Sequence, residues 1–478
     1  MKKNLKALTA AVLCVALMAG CSSSGEDTAK DAPKEEQNVE VTVDDDGREM
    51  KGNMYTAGLP VVKEQESFTL FVDDSGMPED KIMYPILEEQ TNIKVDLMLY
   101  PYETAKEKLN ILLNSGDYPD VIGGWILDSN AILKNGMRDQ IYVPLDPYFS
   151  EESTPNIMEV LDVTNVRQTM TLPDGHIYSI PYIIGTPTTN FLPWINGKWL
   201  KELNLEMPTT PEEFKEVLIA FRDADLNGNG QADEIPFSSD PNNLTLQFLA
   251  GWWGDAMETD SGQNYFAMED GKLAFKASSE GFKSMIEYFA DLYSEGLVDP
   301  EMFTQDLATW KAKGNQDLYG SSIAYGCGDF YEIDKYREDI TAQGDFLPLP
   351  VLKGIETPNY TRGSYGATIF KNQVVVTGKC ENPEVVARWF DNVFEFDNSV
   401  QMNGGLYGKR IEKIEEGRAR FISESKVSAE DMETYDWANM FTQSLPRYMP
   451  IDYDIEPPEG EKNRFDDKDL ATLYTSHI

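Results

Sequence analysis

Histidine is nearly missing from this chain: His176 and His477 are the only two among 478 residues. So few imidazoles leave little from which to build a zinc cluster or a Ser–His or Cys–His pair, and no nucleophile-elbow or zinc-spacing motif occurs. Cysteine is almost as scarce. Cys14 and Cys21 lie at the extreme N-terminus, which leaves Cys327 and Cys380, too few for a disulfide framework. Buried thiols are expected there, with a single bridge as the alternative. Positive charge is short by half, 41 Lys and Arg against 82 Asp and Glu, for a net charge of −41. Such a field repels phosphate backbones and anionic headgroups, which argues against nucleic acid as a partner. It also disfavours a polyanionic ligand unless a local basic pocket overrides it. Beyond the N-terminus no segment approaches the roughly 18 uninterrupted apolar residues of a membrane span. No tandem repeat is present.

What is present begins with an export signal. Lys2, Lys3 and Lys6 form a basic start, residues 7–19 a short apolar run, and Gly20 and Cys21 a small-residue close. That pattern assigns 1–20 to a secretory signal and not to a span. Residues 21–60 are dominated by Ser, Asp, Glu, Lys and Asn, too polar to offset their ordering entropy, and are expected to form a solvated tether. Its last residues, from Tyr55, are expected to pack on the folded body. The remainder is longer than one hydrophobic core serves, so two lobes are expected.

The body opens with an α/β pattern. Residues 68–72 (FTLFV) read as a buried strand, and a helical pattern runs from Pro78 to Gln90, where Pro85 is a candidate kink. Ile93, Val95, Leu97 and Leu99 alternate as a second strand; residues 103–115 form a helix closed by Gly116; residues 120–124 (DVIGG) are a third strand. Strand, helix, strand, helix, strand predicts a parallel sheet with right-handed crossovers, and ligands bind at the carboxyl ends of such strands. Asp73, Asp74, Gly123, Gly124 and Trp125 fall there. Residues 172–181 read as a hairpin around Pro-Asp-Gly, and 182–193 and 343–361 as crossings between lobes. Thr210, Pro211 and Glu213 form a capping box for a helix that buries Phe214, Val217, Leu218 and Phe221.

That helix runs into residues 223–236, DADLNGNGQADEIP. Oxygen-bearing side chains alternate there with Gly228 and Gly230, as a hard divalent cation such as calcium requires of a sharply folded loop. The competing interpretation is a polar surface turn. Pro236 favours extended backbone at the exit, so the loop hangs on one helix, half of an EF-hand. Two registers fit the spacing. One starts at Asp223 with Gly228 at the turn, the other at Asp225 with Gly230 at the turn.

These stretches together carry a resemblance. Residues 17–21 (LMAGC) resemble the lipobox of bacterial lipoproteins, with Met18 where leucine is commoner, which implies a diacylglycerol on Cys21. LLNSGDYPDVI (112–122), LPDGHIYSIPY (172–182), WINGKWLKELNLEMPTTPEEF (194–214), AFRDADLNGNGQADEIPFS (220–238) and IEYFADLYSEGLVDPEMF (286–303) are similar to extracellular solute-binding lipoproteins of bacterial ABC importers. The branch in question binds oligosaccharides and carries a calcium loop. The resemblance implies a two-lobed α/β fold of the type II periplasmic-binding-protein kind, with parallel-rich sheets flanked by helices and a cleft between lobes. It implies an oligosaccharide ligand, importer permease subunits as partners, an extracellular lipid-anchored monomer, and no chemistry on the ligand. For the metal it implies the later register: Asp225, Asn227, Asn229, the Gln231 carbonyl, Asp233 and Glu234 around a structural Ca2+. The expected division is 61–185 and 361–410 for the first lobe and 186–360 for the second with its loop. Residues 411–478 are expected mostly in the second lobe, and cut short, because family members continue beyond DLATLYTS with further helices.

Sugars offer apolar faces to aromatic rings and hydroxyl edges to carboxylates, amides and Arg. Trp125 is the first candidate for ligand contact, followed by Asp74, Tyr325, Arg362 and Tyr365. Trp252 and Trp253 would point opposite ways in an extended segment, one to the cleft and one to the core. Trp199 and Trp389 sit in helical patterns and are expected in the core. Rival readings are a receptor of the same fold for peptides or other solutes, and a secreted polysaccharide hydrolase working through two carboxylates.

Overall fold

The computed structural model describes residues 41–460 apart from 164, 185–187, 190–191, 242–245, 256–264, 270–271, 325, 332–345, 357, 359–362, 365–367, 451–452 and 454. The signal, Cys21, Tyr325, Arg362 and Tyr365 therefore lie outside the described residues. One compact unit ends at Gly52 and a second begins at Asn53.

The first unit contains a hairpin where a solvated tether was expected. Strand β1 (Val41–Val43) pairs antiparallel with β2 (Glu49–Lys51). The turn explains it: Asp44 Oδ1 accepts the amides of Asp46 at 3.0 Å and Arg48 at 2.8 Å, and Gly47 takes φ +85°. Local turn chemistry and the Val-Thr-Val alternation outweigh the low hydrophobicity of this segment. In the second unit, Met54, Val61 and Val62 already belong to the core, and the Arg388 guanidinium donates to the main-chain oxygens of Tyr55 and Gly58.

The first lobe is built on β3 (Glu66–Asp73), α1 (Met83–Thr91), β4 (Ile93–Tyr100), α2 (Tyr102–Ser115) and β5 (Val121–Gly123). Strand β3 runs parallel to both β4 and β5. Pro85 is the third residue of α1, where backbone N–H groups have no intrahelical acceptor, so it costs no hydrogen bond. Helix α2 stops at Gly116, which takes φ +74° and donates its amide to the last turn. Helix α3 (Pro155–Asp162) and β6 (Ile180–Ile184) complete this portion.

Strand β7 (Thr188–Thr189) then leads to β8 (Leu192–Asn196), α4 (Pro211–Arg222), β9 (Ser238–Ser239), α5 (Glu280–Ser294), β10 (Ser321–Ala324) and β11 (Phe346–Pro348). The second sheet has the order β9-β10-β8-β11. Only β9 and β10 are parallel in it, so parallel pairing dominates the first sheet and not the second. Thr210 Oγ1 accepts from the Glu213 amide at 3.2 Å, while the Glu213 carboxylate reaches one residue further back, to the Thr209 amide at 2.8 Å. Trp194, Trp199 and Trp310 are buried in this lobe.

The return runs through β12 (Gly363–Ser364), which pairs with β7, and then β13 (Thr368–Val376), α6 (Pro383–Val393), α7 (Phe396–Gly404) and β14 (Tyr448–Met449). The first sheet has the order β14-β6-β13-β5-β3-β4. Its core takes Trp389, Phe390 and Val393 from α6, and also Met440, Phe441, Leu445 and Tyr448. The segment from 411 onward was expected mostly in the second lobe; its residues 440–448 join the first, while Ile411, Ala419 and Ile455 pack with Val400 in a small cluster of their own. Phe441, Leu445 and Tyr448 need apolar burial, and β6 offers an unpaired edge that β14 takes in parallel. Among the described residues no helix is long and apolar enough to cross a membrane.

Candidate functional site

At the carboxyl ends of β3 and β5 lies a depression of about 300 Å³ lined by Asp73, Asp74, Ser75, Gly76, Lys81, Tyr102, Trp125, Ala438, Asn439, Gln443 and Ser444. Its aromatic wall rests on a cross-strand pair. Tyr182 of β6 faces Phe370 of β13 in register, their rings 5.7 Å apart, and Trp125 meets Phe370 edge-on at 5.0 Å. Trp125 nonetheless remains 41% exposed, and Tyr102, at the start of α2, is 55% exposed. Two large rings are thus held at one depression without being consumed by packing.

Beneath them the two acidic residues differ. Asp74 is committed: its carboxylate accepts from the Gly76 amide at 2.7 Å and from Lys81 Nζ at 2.9 Å. Lys81 is only 3% exposed and also donates to the Ala438 main-chain oxygen at 2.9 Å. Asp73 is 6% exposed, and its Oδ1 has no hydrogen-bond partner among the described residues. Burial pushes the Asp73 carboxyl up to about 7; hydrogen bonding at Ser444 and the Trp125 amide draws it partly back, and the Asp74 charge adds to the rise. Gly124, at φ +114°, makes room for it, because a Cβ there would sit 1.5 Å from Asp73 Oδ1. Asp74, the contact expected from the sequence, lines the depression with its carboxylate held by Gly76 and Lys81.

Tyr102 and the 438–444 wall were not anticipated. Ser444 Oγ donates to the Asp73 main-chain oxygen at 2.9 Å, and the Gln443 amide to Asp74 at 3.3 Å. The available signal was the spacing of Phe441, Leu445 and Tyr448, apolar residues that require a core. Behind the aromatic pair, the buried Arg447 guanidinium stands 5.5 Å from the Tyr182 ring.

Trp252 is a correction. Residues Leu246–Trp253 form a 3₁₀ helix and not an extended segment, and Trp252 is fully buried against Phe214, with ring centroids 6.3 Å apart. It presents no face to a ligand. Trp253 is half-buried on the same core, 5.4 Å from the Tyr288 ring, and does not line the depression. Cys327 and Cys380 are both thiols, set in different cores, and burial pushes each up to about 12.

The loop after α4 folds on its own oxygens. Asp225 Oδ2 accepts the Gly230 amide at 3.0 Å, Asn227 Oδ1 the Asn229 amide at 3.0 Å, and Asn229 Oδ1 the Gln231 amide at 2.7 Å. Asp233 accepts the side-chain amides of Asn227 at 2.9 Å and Asn229 at 3.0 Å. Gly228 and Gly230 take φ +73° and +78°. Glu234 Oε1 accepts from the Leu226 amide at 2.7 Å, while its Oε2 is buried without a partner among the described residues. Asp223 turns aside to Arg222 at 2.8 Å. No cluster of three or more His, Cys, Asp or Glu side chains is close enough to hold a metal among the described residues. The donor set, all carboxylate, amide and carbonyl oxygen with one orphaned carboxylate oxygen, fits a hard cation in kind.

A two-lobed α/β body with a depression at the strand ends is the build of a binding protein. Residues 74–374 match the bacterial extracellular solute-binding proteins, and the chain belongs to that family. It is 33% identical over 342 residues to the fructooligosaccharide ABC transporter substrate-binding protein FusA of Streptococcus pneumoniae, covering 69% of this chain. That match spans 61% of FusA, less than two thirds of its length. Structures of S. pneumoniae FusA with kestose, and of a FusA EF-hand mutant with fructo-nystose, superpose with a TM-score of 0.67 at 26% identity, covering 86% of this chain and 84% of theirs. The polygalacturonan/rhamnogalacturonan-binding protein YtcQ of Bacillus subtilis is 21% identical over 363 residues, covering 75% of this chain and 68% of YtcQ.

Proposed function

We propose that the protein captures an oligosaccharide between its lobes and delivers it to the permease subunits of an ABC importer, without chemistry on the ligand. One observation carries this reading: two exposed rings, Trp125 and Tyr102, line one depression at the strand ends together with the acidic residues Asp73 and Asp74. Rings for sugar faces and polar groups for hydroxyls are what a glycan requires. The likeness to FusA supports the same ligand class. Asp73, Trp125 and Tyr102 supply contacts from the first lobe, and Tyr325, Arg362 and Tyr365 are the proposed contacts from the strand end and the second crossing. Cys21 carries the lipid that holds a monomer at the outer face of the membrane.

The loop at Asp225, Asn227, Asn229, Gln231, Asp233 and Glu234 is proposed to hold a structural calcium. The amide of Gly230 on Asp225, the diversion of Asp223 to Arg222 and the orphaned Glu234 oxygen support that register. Calorimetry against a panel of oligosaccharides and oligopeptides tests the function. Saturable binding of a glycan with no change in its chain length is expected; tight peptide binding or turnover of the glycan refutes the reading.

A further inference from the structure

The return strand β13 does more than complete the first sheet. Phe370 pairs with Tyr182 and Val374 with Ile180, so β13 advances four residues where β6 advances two. Pro181 lies opposite the excess. Proline has no amide hydrogen to give a ladder, and a bulge is where a sheet accommodates one. The bulged residues turn instead to the segment that carries Trp125. The Gln373 main-chain oxygen accepts from the Gly124 amide at 2.8 Å, and the Asn372 side-chain amide donates to Ser129 Oγ at 3.1 Å. The Lys371 main-chain oxygen accepts from Ser179 Oγ at 2.7 Å, which ties the bulge back to the chain just ahead of β6. Both ends of the turn 124–129 are therefore held by β13, and only the indole itself is left to be placed.

We infer that Phe370 places it: Phe370 is a positioning residue for glycan binding, acting through Trp125 and not on the sugar. The inference rests on the glycan-capture reading above. Trp125 lines the depression, whereas Phe370 is absent from its lining. The two rings meet with centroids 5.0 Å apart and planes at 80°, the edge-to-face arrangement that ring quadrupoles favour. The Trp125 contact with Tyr182 is longer and oblique, 6.3 Å at 49°, so Phe370 is the principal support. Phe370 is fixed from behind by the Tyr182 ring at 5.7 Å, and the Arg447 guanidinium lies over Tyr182 at 5.5 Å. The stack thus runs from a buried cation through buried Tyr182 and half-buried Phe370 to an exposed indole.

That order matters for affinity. An exposed ring on a turn that starts with a glycine has rotamer freedom to lose, and a sugar that must order it binds less tightly. Support from Phe370 sets the ring before the ligand arrives and leaves it open to solvent.

The test is a double-mutant cycle on the full chain, read by calorimetry with kestose, maltotriose and cellotriose, the tightest binder being carried through. Phe370→Leu keeps apolar volume and removes the ring. It should weaken binding about fivefold, the scale of one edge-to-face pair. Trp125→Ala should weaken it by about tenfold or more. Adding Phe370→Leu to Trp125→Ala should change affinity by less than about twofold further, because the supported ring is gone. A merely structural role would cost as much in the second background as in the first. An equal loss in both backgrounds, or no loss beside an intact Trp125, overturns the inference and leaves glycan capture standing. Phe370→Met repeats the cycle where Phe370→Leu does not fold; failure of both to fold, judged by circular dichroism, overturns it as well. Trp125→Ala binding as tightly as the parent removes the Trp125 contact and the role of Phe370 with it. Failure of every trisaccharide removes the glycan reading and this inference together.

Discussion

At the scale of single residues, the neighbours Asp73 and Asp74 show how little of a site lies in residue type. Both are aspartates at one strand end; one is tied to Lys81 and the other is left with an unused oxygen. Sequence spacing located the pair correctly but could not divide the roles, because Lys81 and Ser444 arrive from elsewhere in the fold. The cost of burying the Asp73 carboxyl is measurable. Burial lifts the Asp73 carboxyl from 3.8 to about 7, so the folded state holds a proton that the unfolded chain releases. That stabilisation is complete below about pH 4 and is lost as pH rises through about 7. Asp73→Asn removes this dependence: relative to the parent, its stability should improve by about 3 kcal/mol between pH 4.5 and pH 8. Urea unfolding at both pH values measures the difference, and a difference that does not change with pH contradicts the burial cost. Trp125 makes the complementary case. Because its ring is substantially exposed, Trp125→Ala should leave the melting temperature nearly unchanged while weakening glycan binding at least tenfold, about 1.4 kcal/mol. Thermal melts and calorimetry on one preparation separate the two effects.

Elements with strong local periodicity were legible before any coordinates. The unit from β3 to β5 follows from alternation in the strands and a 3.6-residue repeat in the helices, and the start of α4 from Thr210, Pro211 and Glu213. The β1–β2 hairpin was hidden by its acidic composition, since a three-aspartate turn reads as solvated chain. Strand β14 was hidden for another reason. It is two residues long, and its partner β6 is remote in sequence, so no local pattern announces it. The same remoteness concealed the wall at Gln443 and Ser444. The tight turn after α4 was legible because its Asp, Asn and Gly residues are contiguous. It bridges α4 to the second sheet through Ile235 beside Tyr319 and Phe237 beside Val298. Removing the proposed calcium should therefore loosen the second lobe and leave the depression on the first lobe intact. Chelation is expected to lower the melting temperature, with glycan affinity of still-folded protein changed less than about threefold. A large affinity loss in folded, chelated protein would place the metal in the binding event itself.

For the whole molecule, the route of the chain matters most. It passes from the first lobe to the second by β7 and returns by β12, and these two short strands pair with each other. A pair of antiparallel crossing strands is a natural hinge for closure around a ligand. Saturating glycan should reduce the radius of gyration measured by small-angle scattering, and an unchanged value would mean that capture proceeds without closure. The topology has a further consequence. Ile184 at the end of β6 and Thr368 at the start of β13 are register partners in adjacent antiparallel strands. The second lobe is thus, in connectivity, the loop of a β-hairpin that has grown to domain size. A short turn joining residue 184 to residue 368 would close the hairpin and leave every strand of the first sheet in place. The capture half of such a receptor is therefore separable by design, and a foreign second lobe could be set into the same hairpin to give the molecule a different appetite.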